Sequence, residues 1–221
     1  MIDDETRSEM ARLYDAAFFA EWGAANEAYV RSARAAAEIV FEQYRPATVL
    51  DLGCGAGFHA TRLAELGVRV IAADFVSCPP AFRAPDLPAV EMADLAAPLP
   101  PDRFPRVDLV LCLDVAEHLA PEAAPIVVAN CTRFSDLVVF SAAPPGQGGI
   151  GHINEQPRRY WFERFRNENF RHCRRESGWI DIRALARRDV LTLRWMATQL
   201  AVYRRGARWP YPKAALPASP P

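Results

Sequence analysis

The chain has 221 residues, of which 51% are apolar and 24% charged, the balance of a soluble globular protein with a sizeable core. Its net charge is −1 and its sequence pI about 6.4, so no basic surplus exists to hold nucleic acid or an anionic membrane surface. The five cysteines (Cys54, Cys78, Cys112, Cys131 and Cys173) are scattered and lack C-x-x-C spacing. They suggest neither a zinc site nor a disulfide framework; no metal is expected, and a reduced cytoplasm is the compartment they imply. The first residues, Met-Ile-Asp-Asp-Glu, are acidic where a secretory signal would be basic.

Residues 4 to 45 read as two helices broken near Gly23. Tyr14, Phe18, Phe19 and Trp22 fall at helical spacing, an aromatic stripe that either packs on the domain or covers a substrate mouth. Arg45-Pro46 ends the helical stretch, because a residue before proline disfavours the α region.

Thr48 to Gly57 form the stretch around which the rest of the chain is organised. Val49 and Leu50 are strand-like and lead into Asp51; Gly53, Gly55 and Gly57 come at every second position, with Cys54 between the first two. A helix from Phe58 to Leu66, closed by Gly67, completes a strand–turn–helix unit. The spacing is not that of a dinucleotide fingerprint, whose third glycine would fall at Phe58, and no Gly-Lys-Ser/Thr of a P-loop is present. A carboxylate inside the turn repels phosphate and suits a ligand carrying a cationic amino group. The D-x-G-x-G-x-G pattern resembles motif I of class I S-adenosylmethionine (SAM)-dependent methyltransferases. That resemblance implies SAM as the cofactor, with its amino-acid part above the glycine turn.

Val68 to Asp74 is a β-rich run ending in an acid. Its distance from Gly53 is close to the roughly 20 residues expected between a glycine turn and a ribose-binding carboxylate. Asp74 offers two acceptor oxygens to two ribose hydroxyls, with Phe75 beside it. Residues 77 to 88 are proline-rich and read as a loop. The short strand Ala89 to Asp94 ends in another acid; the resemblance gives Asp94 the adenine amino group and the Leu95 N–H the adenine ring, the alternative being a simple turn cap. Val107 to Leu113 is a near-continuous apolar run, as in a central parallel strand.

The run ends in Asp114-Val-Ala-Glu117-His118-Leu119, similar to the E-V-x-E-H-L segment of small-molecule methyltransferases. Leu113 and Asp114 are thereby expected at the cofactor, Glu117 and His118 at the acceptor. Asp136 to Ser141 reads as the fifth strand. Behind it, Gln147, His152 and Asn154 lie among four glycines, in a loop suited to bringing polar groups near a ligand. Pro157 suits the start of a helix to about Asn169, with Tyr160, Trp161 and Phe165 on its inner face. The combination P-G-Q-G-G-x-G-H-x-N-x-Q-P-x-x-Y-W resembles bacterial class I methyltransferases associated with sugar and secondary-metabolite modification. The segment from Trp179 to Ala197 has a helical pattern, and Gln199 to Tyr203 reads as a final strand.

The expected architecture is therefore α/β: a Rossmann-like, doubly wound, mostly parallel seven-stranded sheet whose last strand, by the resemblance, is antiparallel. Residues 1–45 form a helical lid or extension, 46–206 the methyltransferase domain, and 207–221 a Pro/Ala-rich tail. The expected reaction is methyl transfer to a small-molecule acceptor, a sugar or secondary metabolite, with His118 and His152 as candidate bases. Tyr14, Phe18, Trp22, Glu117, Gln147, Asn154 and Trp161, with the two histidines, are the expected acceptor-binding set. No nucleic acid or membrane partner is expected. A SAM-binding protein without transfer activity, or a nicotinamide-dependent oxidoreductase, are the competing readings.

Overall fold

A computed structural model describes residues 12–206; the expected tail, and the start of the N-terminal segment, lie outside the described residues. Seven strands form one sheet in the order β3-β2-β1-β4-β5-β7-β6. They are β1 (Thr48–Leu52), β2 (Arg69–Asp74), β3 (Val90–Met92), β4 (Leu109–Leu113), β5 (Leu137–Ser141), β6 (Phe170–His172) and β7 (Ala201–Arg205). Strand β7 lies antiparallel between β5 and β6, and the β1–β5 pairings are all parallel. The chain leaves β1 toward β2 on one side and returns beside it as β4 on the other. This switch in strand order opens a crevice at the strands' carboxyl ends, where open α/β sheets hold ligands.

Seven α-helices surround the sheet among the described residues: α1 (Ala16–Glu21), α2 (Glu27–Tyr44), α3 (Phe58–Glu65), α4 (Ala124–Arg133), α5 (Arg158–Asn167), α6 (Arg174–Ala186) and α7 (Trp195–Thr198). The period-2 alternation of the strands sorts side chains between two faces. Val49, Leu109, Leu111, Val139 and Val202 meet Ile39 and Val40 of α2 and Ile180 and Ala184 of α6. Leu50, Val110, Cys112, Val138 and Phe140 meet Val127, Val128 and Cys131 of α4 and Trp161 and Phe165 of α5. Strands β4 and β5 are buried on both faces, as their unbroken apolar runs require.

Helix α2 therefore belongs to the core, although the expected division at residue 45 placed it with the extension. Its ends are well defined: the Asn26 side chain accepts the N–H groups of Ala28 and Tyr29, and Arg45 closes the helix in the left-handed conformation at φ 45° before Pro46. Helix α1 is separate, capped by Asp15, and contributes Phe19 to a smaller cluster over the carboxyl end of the sheet.

The C-terminal third departs most from expectation. Helix α5 stops at Asn167 with Pro157 as its cap, and Asn169 turns left-handed (φ 63°) into the short strand β6. The expected helix from Trp179 begins earlier, at Arg174, ends at Ala186, and resumes as the single turn α7. Among the described residues no helix is long and apolar enough to cross a membrane.

Candidate active site

The glycine turn sits directly over the end of β2. Gly53 and Cys54 donate their N–H groups to the Ala73 carbonyl at 2.8 and 3.2 Å, and Gly55 donates to Oδ2 of Asp74 at 2.7 Å. Three successive donors are thus spent inside the protein, whereas a phosphate cradle would aim them at its ligand. Gly53, Gly55 and Gly57 have φ of 82°, 54° and 81°, a left-handed region that side chains rarely adopt. A Cβ on Gly53 would stand 2.2 Å from a Val115 methyl, while one on Gly55 would meet nothing; Gly55 faces the crevice.

Four carboxylates gather around this turn. Asp51 is 2% exposed, and its Oδ2 has no hydrogen-bond partner among the described residues. Burial, and then the neighbouring Asp74, push its pKa up to about 7. Asp74 accepts Gly55 N–H on one oxygen and Val76 N–H on the other, at 2.7 and 2.9 Å; burial raises its pKa against these bonds. Asp114, held at φ 55°, accepts the Ser141 hydroxyl at 2.7 Å, and burial raises its pKa to about 6. Glu117 is 1% exposed and is raised by burial and then by Asp114. Asp114 and Glu117 line the cleft itself, while Asp51 and Asp74 stand behind the turn; carboxylates with no cation beside them favour a cationic ligand.

The cleft encloses about 340 Å³ and is lined by Gly53–Ala56, Leu113 and Asp114 at the strand ends. Phe18 of α1, Trp22 at its C-terminal cap, and Tyr29 of α2 form one wall together with Trp195 and Met196 of α7. Trp22 packs edge-on against both Tyr29 and Trp195, with centroids 5.9 Å apart. Tyr14 stands edge-on to Phe18 and to His118.

The glycine-rich loop, with Glu117, His118, Gln147 and His152, supplies the rest of the lining. The His118 and His152 ring centroids are 4.9 Å apart. Nδ1 of His152 lies 3.0 Å from Glu155, whose carboxylate also accepts the N–H groups of Gly146 and Gly148. Burial, and then His152, lower the His118 pKa to about 4. The backbone carbonyl of Glu117 accepts from Ile153 and Asn154, and its carboxylate accepts from Ala143 at 3.1 Å, so one residue binds three segments together.

Not every expected residue reaches the cleft. Trp161 is 2% exposed and packs on Phe140 at 5.1 Å; it is a core residue of the α5 face, and its side chain is not among those lining the cleft. Asn154 is also buried: its side chain donates to the Ala116 carbonyl and accepts from Gln156, bracing the loop from behind. Asp94 caps its own turn through the Ala96 N–H and lies with Leu95 and Phe75 at the β2–β3 end of the sheet, outside the enclosed cleft. Tyr29, His59, Trp195 and Met196 line it without having been in the expected set; Trp195 and Met196 come from the end of the segment read as helical from Trp179 to Ala197, where the structure has a separate single turn. Glu155 carried no sequence signal beyond its place between Asn154 and Gln156.

Strand order, inverted β7 and the D-x-G-x-G-x-G turn under an acidic crevice together define a class I methyltransferase fold. Residues 50–135 match the family model described as "Methyltransferase domain". A relative from Pseudomonas paraeruginosa, named ubiquinone biosynthesis O-methyltransferase, is 32% identical over 120 residues, 52% of this chain and 48% of its own. A Pseudomonas fluorescens protein of the same name is 29% identical over 119 residues, again 52% of this chain and 47% of its own. The chain spans about half the length of the curated relatives it matches. Among solved structures, the magnesium protoporphyrin IX methyltransferase of Synechocystis with bound SAM superimposes with a TM-score of 0.56, at 19% identity over 78% of this chain and 89% of that one. The 1,6-didemethyltoxoflavin-N1-methyltransferase of Burkholderia thailandensis gives 0.56 at 19% identity over 91% of both chains.

Proposed function

We propose that this chain transfers a methyl group from SAM to a small-molecule acceptor, with an oxygen nucleophile as the preferred class. The observation that carries the reading is Asp51: a buried, unpaired carboxylate below a glycine turn whose own N–H groups are already engaged. That arrangement suits an amino group better than a phosphate and so supports SAM over a dinucleotide. Asp74 keeps unshared lone pairs for the ribose hydroxyls. Asp94 and the Leu95 N–H are the groups assigned to adenine.

SAM, when bound, supplies a methyl already activated by its sulfonium. The task of the chain is then alignment and exclusion of water, and positioning of this kind contributes up to about 7–11 kcal/mol. Phe18, Trp22 and Trp195 exclude water from one side, with α1 as the lid. In the glycine-rich loop, Glu155 orients His152 through Nδ1, leaving Nε2 with the lone pair that takes the acceptor's proton, a contribution of about 10²–10⁴-fold. His118, with its pKa near 4, is a poor proton acceptor at neutral pH and serves as a neighbour of the base. The O-methyltransferase names of the Pseudomonas relatives support an oxygen acceptor; sugars and phenolic secondary metabolites are the proposed classes.

The test is calorimetric titration with SAM and with NAD, followed by incubation with SAM and a panel of hydroxyl and amine acceptors. SAM binding with S-adenosylhomocysteine formed from a hydroxyl compound is the expected result. No SAM binding would sink the proposal. Binding without product from any acceptor would favour a SAM-sensing protein.

A further inference from the structure

The acceptor side of the cleft contains an arrangement that proton transfer alone does not explain. Glu117, His118 and His152 each present one ligand-type atom, and these atoms all lie within 4.8 Å of one another. Ligand atoms bound to one cation at about 2.0–2.2 Å stand about 3–4 Å apart, so a contraction of about an ångström would close the set. Two of the atoms available are buried and unpartnered among the described residues: Oε2 of Glu117 and Nδ1 of His118. Leaving a carboxylate oxygen dry and unpaired is costly unless something cationic meets it.

Two further features match a metal centre. The His152 ring is held through Nδ1 by the Glu155 carboxylate at 3.0 Å, which frees Nε2 and fixes its direction. A carboxylate behind an imidazole is the usual support of a metal-ligating histidine. The glycine loop also clears space around both rings. A Cβ on Gly149 would stand 2.4 Å from His152 Nε2, and one on Gly151 would stand 3.3 Å from His118 Nδ1. Glycine at these two positions lets the backbone pass close to the free nitrogens.

We propose that Glu117, His118 and His152 form a binding site for one divalent transition-metal cation, open toward the cleft, where it would take an oxygen of the acceptor. Two imidazoles and one carboxylate suit first-row transition cations better than Mg²⁺ or Ca²⁺, which prefer all-oxygen sets. Only the acceptor role rests on the methyl-transfer reading; cation binding itself does not. In that role the cation lowers the pKa of a bound hydroxyl. The hydroxyl proton passes to solvent, the oxygen–methyl bond forms, the sulfur–methyl bond breaks, and nothing is oxidised or reduced. A His152 that ligates cannot also be the free base, and cation binding decides between the two.

The experiment titrates EDTA-treated, dialysed full-length protein with Mn²⁺ in the absence of SAM, by calorimetry and by loss of the free Mn²⁺ resonance signal. Zn²⁺ is then used in competition. One equivalent per chain is expected. Glu155→Gln is expected to weaken it about 10–100-fold, and Glu117→Gln and His152→Ala to abolish it. Asp74→Ala should lose SAM and bind Mn²⁺ like the wild type, which separates failure of the cation site from failure of the SAM site. Thermal melts of each variant identify any that is unfolded; His152→Ala, in the loop, is the variant least exposed to that problem. No saturable binding by the wild type, or equal binding by folded His152→Ala, overturns the proposal.

Discussion

Oδ2 of Asp74 accepts the N–H of Gly55 at 2.7 Å, joining the end of β2 to the glycine turn after β1. The same carboxylate takes Val76 N–H on its other oxygen. One side chain therefore ties the turn to the end of β2. Removing it takes away the ribose acceptors and frees the turn together. Asp74→Ala is expected to weaken SAM binding by about 100-fold or more, on the basis of about 1.5–3 kcal/mol per charged hydrogen bond. Calorimetry measures this directly, and unchanged affinity would remove Asp74 from the cofactor site.

Gly53 is constrained twice, by φ of 82° and by the Val115 methyl that a Cβ would strike. Gly53→Ala is expected to destabilise the fold by about 1–3 kcal/mol, seen as a lower denaturant midpoint with unchanged slope. Adding Val115→Ala relieves the clash and leaves the dihedral cost, so the double variant should recover part of the loss. Full recovery would mean that the backbone carries no strain.

Asp51 gives a pH signature. Its pKa is raised in the fold, from 3.8 to about 7, so the folded chain binds a proton that the unfolded chain releases. The stability this group contributes is complete below about pH 4 and is lost as pH rises toward 7. Asp51→Asn stays neutral throughout. Its melting temperature relative to wild type should therefore increase between pH 5 and pH 8, and a flat difference would show that Asp51 is not buried as a lone acid. A cationic ligand acts in the opposite sense, since it favours the carboxylate. SAM binding near pH 6 should release protons, measurable as a dependence of calorimetric heat on the buffer's ionisation enthalpy.

At the two histidines the outcomes are unequal. His152 is oriented by Glu155, and His118 is not. With an identified acceptor at saturating SAM, His152→Ala is expected to lower turnover about 10²–10⁴-fold, with a smaller effect for His118→Ala. If both variants keep full turnover, neither imidazole takes part in the reaction.

The parts of the site that were legible in the sequence are those whose chemistry is local. Asp51 and the alternating glycines sit on one short turn, and Asp74 ends the next strand, so their spacing along the chain already is their geometry. The pairing of His118 with His152 is different: it exists because the loop after β5 folds back onto Glu117, whose carbonyl takes the Ile153 and Asn154 N–H groups. No periodicity announces such a contact. Strand β6 has three residues, of which only Phe170 is buried, too few for alternation to register. Trp161 and Asn154 were drawn to the cleft by the company they keep in sequence. An aromatic at helical spacing, however, gives the same signal whether its face meets a core or a ligand.

Trp161 therefore tests how that ambiguity resolves. It is 2% exposed and lies against Phe140 of β5, while its indole nitrogen has no partner among the described residues. A core role and a substrate role predict different kinetics. Trp161→Ala is expected to cost about 3–5 kcal/mol of stability through the lost apolar contacts and the cavity left behind. Trp161→Phe keeps most of the volume and should cost less, leaving KM for SAM and for the acceptor near their wild-type values. Denaturant titration of both variants gives the stability difference, and steady-state kinetics on the Phe variant gives the rest. A raised acceptor KM in a stably folded Trp161→Phe protein would return the indole to the binding site.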